Sequence, residues 1–274
     1  MKLNRLFVFV FILIISSDSC YKHEEGCRDV NALNYDVMAD KDCEENCCKY
    51  PNVSLDFKLY FDTVRIDTNT FFANDLGDSL RIRLLRMYFS NFAMIKNNAE
   101  FLPMHKLQTL GIGNDSIPVF KSIDYTSVKV NEKGGSFGIG ILNKMAKFGG
   151  VDFSFGIDST INHANISKIT TSNYLHQFSD SMYVNRDTGY YFLKLFVDVK
   201  NKPERDIEIF GDKYLTRINL KGQIDFEERK NHILPIKFDL KKWMHNIDFS
   251  VESNDEIANS LILNLNSALE IREK

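Results

Sequence analysis

The sequence predicts an all-β protein: an antiparallel β-sandwich with Greek-key-like connections, a C-terminal amphipathic helix and a small disulfide-rich segment in front. Three observations predict it. Apolar and polar residues alternate over short runs, the period of strands with one buried face. Turn residues separate those runs without helical patterns between them. The composition is 44% hydrophobic and 12% aromatic, with 22 phenylalanines among 274 residues, enough for a real core of strand-favouring side chains. The net charge of −3 lacks the basic footprint of a nucleic-acid binder, so no nucleic-acid partner is expected.

The N-terminus reads as an address. Lys2 and Arg5 precede an unbroken apolar run from Leu6 to Ile15, too short for a resident membrane span and suited to a secretory signal over residues 1–19. Ser16-Ser17-Asp18-Ser19-Cys20 resembles a bacterial lipobox, which makes Cys20 the expected lipidation site. The chain has five cysteines; removing Cys20 leaves an even set, as an oxidising compartment favours. Acyl chains on Cys20 would tether the protein to a membrane. The polar tether from Tyr21 to Glu25 resembles surface-export signals of Gram-negative lipoproteins. The expected location is the outer membrane or cell surface, or the periplasm if the leader is simply cleaved.

Residues 20–51 form the tether and a cysteine-rich segment with too little apolar material for a core of its own, so disulfides must hold it. Cys47 and Cys48 are adjacent and poorly placed to bond to each other. This leaves Cys27–Cys47 with Cys43–Cys48, or Cys27–Cys48 with Cys43–Cys47. Zinc on four thiolates is disfavoured by the spacing. Asp29, Asp36, Asp40 and Asp42 lack the alternation of a calcium loop and read as a solvated acidic face. The segment resembles the small GC-x-D-x-x-A-x-N-Y module that precedes domains of secreted bacterial proteins.

The body, residues 52–274, opens with Val53, Leu55, Phe57, Leu59 and Phe61 alternating with polar residues and Tyr60. The same period recurs at Leu80-Ile82-Leu84, Val128 and Val130, Val151 to Ile157, Leu193 to Val199, Ile207-Ile209, Ile224-Phe226 and Ile236 to Leu240. About eight to ten strands result. Gly134-Gly135 and Gly149-Gly150 read as turns, and the glycine-rich run from Gly134 to Gly140 as a flexible loop. Asp239 to Met244 reads as a helical turn. Ile257, Ala258, Leu261, Ile262, Leu265, Ala268 and Leu269 form one stripe of a helix capped by Asn254 or Asp255.

Chemistry is sparse. The chain has no Walker-type phosphate-binding loop, and its one G-x-S-x-G match, Gly134 to Gly138, lies in the run read as a flexible loop with no flanking βαβ unit, so an enzymatic role is not expected. The histidines are His23, His105, His163, His176, His232 and His245, none four residues from another. His163 and His176 share one long loop region, Ser159 to Ser181, where sandwiches carry binding sites. With Met182 or Met104 as a thioether partner they are the candidate ligands for copper. Without metal, the aromatic-rich stretch Tyr183 to Tyr191 is the candidate contact surface for a protein or glycan.

Three stretches, in order, resemble the MbnP-like proteins. Leu84-Leu85-Arg86-Met87-Tyr88-Phe89-Ser90-Asn91-Phe92 is similar to the family's l-k-F-Y-I-S-N-i strand. Phe155 to Asn162, then Ser181-Met182-Tyr183 and Gly189 to Leu195, are similar to its G-V-D-S…N…M-Y-W-x-W…G-Y-x-f-x-K core. Ile236 to Trp243, followed by the helix around Ile257-Ala258-Asn259, is similar to its terminal strand and helix. The resemblance implies an exported, often lipid-anchored β-sandwich. It also implies copper binding through histidines and an oxidised tryptophan. The chain departs from the pattern at Val184 and Arg186, which stand at the two tryptophan positions, and at Asn219 or Leu220, which stand at a histidine position.

Overall fold

Alternation along the chain becomes alternation of depth. Val53, Leu55, Phe57 and Leu59 are buried while Ser54, Asp56 and Lys58 lie between them at the surface. The computed structural model describes residues 23–44, 47–66, 69–97, 99–104, 107–112, 119–124, 127–144, 147–165, 167, 169, 174–176 and 182–272. The signal segment, Cys20 and His105 lie outside the described residues.

In chain order the sandwich runs β1 (Asn52–Phe61), β2 (Ser79–Lys96), β3 (Ser127–Asn131), β4 (Gly135–Ile141), β5 (Lys147–Phe155) and a short helix α1 (Ser159–Asn162). It continues with β6 (Tyr183–Asn185), β7 (Gly189–Val199), β8 (Arg205–Phe210), β9 (Thr216–Asp225) and β10 (His232–Asp239). It ends with α2 (Leu240–Trp243), α3 (Asn254–Ala268) and β11 (Leu269–Ile271). One sheet has nine strands, following β6-β7-β2-β5-β9, with β8 on β7 and with β3 and the short pieces Phe72–Ala73 and Phe101–Pro103 on β2; the other has five, following β4-β1-β10-β11, with the short piece Val64–Arg65 on β1.

The 18-residue β2 is the spine of the larger sheet. Its first half, Leu80 to Met87, pairs with β7, and its second half, Phe89 to Lys96, pairs with β5. Arg86 and Met87 pair with β3 as well as β7, and Phe89 and Ser90 with β3 as well as β5. So β3 occupies one edge while β7 and β5 follow each other along the opposite one. Between them the Gly156 amide donates to the Tyr88 carbonyl at 2.8 Å. The buried Ser90 hydroxyl donates to the Gly156 carbonyl at 2.7 Å. The register then slips by one residue between Ser90 and Ala93, where Asn91 has φ 56°. A bulge of this kind turns the strand.

The sheets meet in aromatic rings. Phe57 of β1 stacks on Phe89 of β2 at 5.2 Å, and Phe153 of β5 packs edge-on against Phe89 at 5.2 Å. Each of the three is fully buried. Trp243 on α2 lies under α3, its indole N–H donating to the Leu261 carbonyl at 3.0 Å. Helix α3 buries Ile257, Ala258, Leu261, Leu265 and Ala268 of the predicted stripe; Ile262 is half-buried, and Leu269 is buried beyond the helix as the first residue of β11.

Several local expectations are corrected. The sheet is not wholly antiparallel: β1 and β10 run parallel from Val53–His232 to Tyr60–Asp239. Residues 135–141 are not a loop but β4, paired with β1. Gly149 and Gly150 do not turn the chain but lie inside β5, where Gly150 sits at a bulge against the Leu220 carbonyl, leaving no room for a side chain. The cap of α3 is Ser253, one residue earlier than expected, in a reciprocal capping box with Glu256.

The N-terminal segment folds on Cys27–Cys48 and Cys43–Cys47, the second of the two pairings left open above. Asp29 accepts from the Asn31 amide at 2.9 Å and the Tyr50 hydroxyl at 2.8 Å. The Asn31 amide first, then the Tyr50 hydroxyl, hold its carboxyl below the usual carboxylate range. The Arg229 guanidinium lies 5.8 Å from the centre of the Tyr35 ring, a contact between this segment and the connection from β9 to β10.

Two outcomes follow. Phe57→Ala empties the seam between the sheets and lowers unfolding stability in urea by about 3–5 kcal/mol. A depressed carboxylate contributes stability above its unfolded value of about 3.9, and that contribution is lost as pH falls through the lower folded value. Tyr50→Phe removes one donor, so the Asp29 titration seen by NMR moves up toward the unfolded value and the stability lost in acid becomes smaller.

Candidate functional site

The chain beside each candidate ligand is tied to the start of β7, through the Asn162 side chain, the Leu175 carbonyl and the Met182 carbonyl. Asp158 accepts from the Thr160 amide at 3.0 Å and starts α1. Four residues later the helix ends at His163. The intervening loop is anchored by Ile161, Ala164, Ile169 and Leu175, all buried. His176 ends a single 3-10 turn, Tyr174–His176, and is half-buried. Met182 is fully buried, and its carbonyl accepts from the Tyr191 amide at 2.7 Å.

The His163 ring faces the β6–β7 turn. Asn185 accepts from the amides of Asp187 and Thr188, both at 2.9 Å, and so fixes that turn. The Arg186 carbonyl lies 3.0 Å from His163 Nδ1. A carbonyl only accepts, so Nδ1 carries the proton, and in the neutral ring Nε2 carries the lone pair.

The buried Asn162 side chain accepts from the Tyr190 amide at 2.8 Å, and its Nδ2 has no hydrogen-bond partner among the described residues. Gly189 has φ 77°, and a side chain there would overlap the Asn162 amide. The Tyr190 hydroxyl donates to the Leu175 carbonyl at 2.8 Å. Its ring packs edge-on against Tyr183 at 5.0 Å and Tyr88 at 5.9 Å. Burial pushes the phenol far above its ordinary pKa, which keeps it a neutral donor.

Other candidates fall elsewhere. Met104 is buried in the core. His232 stacks on Phe226 at 4.1 Å, and His245 faces Asp75. Asn219 donates its amide to Asn266 on α3, and Leu220 is buried in the core, so the histidine position of the resemblance supplies no imidazole. Val184 is exposed on β6, and Arg186 contributes its carbonyl. Among the described residues, the one grouping of three His, Cys, Asp or Glu ligand atoms is Cys43, Cys47 and Cys48. Those sulfurs are bound in disulfides and offer no thiolate. Asn162 and Tyr190 are the residues missed as structural parts of the site. The signal for them was thin: an asparagine ending a D-S-T-I-N turn and a tyrosine after glycine.

A sandwich with imidazoles on loops at one end defines an all-β binding domain. The chain belongs to the MbnP family, a family of binding proteins, which matches residues 50–261. A solved structure, MbnP from Methylosinus trichosporium, is similar at 14% identity with a TM-score of 0.48, covering 73% of this chain and 79% of that one. Comparison with curated proteins finds no match.

Gly189→Ala costs about 1–2 kcal/mol for the left-handed backbone alone. Displacement of Asn162 adds to this, so the melting temperature falls more than a backbone effect predicts. Circular dichroism on heating measures it.

Proposed function

We propose that this chain is an exported, lipid-anchored binding protein of the cell envelope that handles copper through imidazoles. Cys20 carries the acyl chains, and the membrane is its first partner. His163 and His176 would hold the ion, with Met182 as a thioether candidate. It acts by binding rather than by catalysis.

The observation that carries the reading is the His163 ring. Metal-binding histidines donate their second ring N–H to a carbonyl or carboxylate, which fixes the tautomer and aims the other nitrogen. His163 makes that bond to Arg186. The tryptophan half of the family's copper chemistry does not fit this chain. Its single tryptophan, Trp243, is 1% exposed and spends its N–H on Leu261. Copper would therefore rest on imidazole alone or with thioether, a ligand set suited to Cu(I) and Cu(II).

The test is elemental analysis of the mature chain carrying Cys20→Ser, purified without a metal-affinity tag and dialysed against copper. About one copper per chain is expected to survive a mild chelator, and His163→Ala to weaken it at least about tenfold. No retained copper overturns the reading and turns attention to a protein or glycan bound at Tyr183 to Tyr191. In cells, Cys20→Ser is expected to move the protein from the membrane to the soluble fraction; unchanged membrane association would refute the anchor.

A further inference from the structure

One residue bonds to the chain neighbours of both candidate ligands. The residue before His163 is Asn162, and the residue before His176 is Leu175. Tyr190 bonds to both: its amide donates to the Asn162 side chain and its hydroxyl to the Leu175 carbonyl, each at 2.8 Å. The two ends of the intervening loop are thus tied to the backbone and the phenol of a single residue. Tyr190 is 1% exposed and braced by Tyr88 and Tyr183. Tyr88 belongs to β2 at the point where that strand changes partners, so the brace is rooted in the middle of the larger sheet.

We infer that Tyr190 is the positioning residue of the site, setting the separation of the His163 and His176 imidazoles. It acts through Asn162 on one side and Leu175 on the other. Its two bonds differ in a way that makes the idea testable. The amide bond survives any substitution except proline; the hydroxyl bond is lost in Tyr190→Phe. That variant keeps the ring and its packing and releases only the His176 side. The role in metal binding rests on the copper reading above, whereas the role in placing the two rings does not.

The first measurement is made on metal-free protein. The ring proton signals of His163 and His176 are assigned by His→Ala variants and compared between wild type and Tyr190→Phe. The His176 signals are expected to shift or broaden and those of His163 to stay. Unmoved signals from both rings overturn the inference, as does equal movement of both, which would mark general loosening.

The second is copper affinity by chelator competition with the Cu(II) electron paramagnetic resonance spectrum. Tyr190→Phe is expected to weaken binding by about 10–100-fold and to alter the nitrogen hyperfine pattern. Ile236→Val, in the other sheet, serves as a mildly destabilised control and is expected to bind as wild type. Wild-type affinity in Tyr190→Phe overturns the metal-binding role. Failure of the wild type itself to bind overturns the copper reading and that role with it, leaving the ring measurement to decide the placement.

Discussion

A pair of hydrogen bonds around Gly156 holds the place on which the rest of the sandwich depends. The Gly156 amide reaches the Tyr88 carbonyl and the Ser90 hydroxyl reaches back to the Gly156 carbonyl, both buried between two strands that share one edge of β2. Without them that edge would carry unpaired polar groups in the core, each costing about 1–3 kcal/mol. With them, one long strand serves two neighbours in succession. Tyr88 and Phe89 face different parts of the interior, and past the bulge Phe92 meets Phe89 again on the Phe153 ring. Phe89 joins the aromatic seam to Phe57 of the opposite sheet, and Tyr88 braces Tyr190.

The architecture was legible wherever side chains kept a simple period. The first strand, the strand from Leu193 to Val199 and the stripe of α3 fold as the pattern reads. The pattern failed where glycine removed a member of it. Gly222 leaves a gap in the inward-facing series Ile218, Leu220, Ile224, and only the last of these was legible as strand. Three glycines hid β4. Serine before an acidic turn hid the capping box of α3, although Ser253 and Glu256 stand at the right spacing. The parallel pairing of β1 with β10 had no local signal, because each strand reads the same in either direction.

The site was legible only in part. Two histidines in one long loop are a compositional hint, since loops of sandwiches commonly carry binding sites. What orients them is not in their own residues. The Arg186 carbonyl, the Asn162 amide and the Tyr190 phenol act through backbone groups and contacts of long sequence separation. A backbone carbonyl is present at every residue, so the sequence gives no sign of which one will meet an imidazole. The departures from the family are easier to interpret with the fold in view. Loss of the tryptophans at 184 and 186 leaves the turn intact, since Asn185 holds it through backbone amides.

The pairing of β1 with β10 also bears on how the chain reaches this state. Asn52 and Asn231, bonded at the start of that pairing, are 179 residues apart in sequence. Until β10 is present, β1 has β4 on one side and an open edge on the other, and the smaller sheet has no centre. Contacts of such separation make folding slow, because a long loop must close before any of them forms. The domain therefore acquires its final shape late, after nearly all of its residues have become free to move. On the export proposed above, that delay would keep the chain compliant during passage through a membrane and defer closure to the far side.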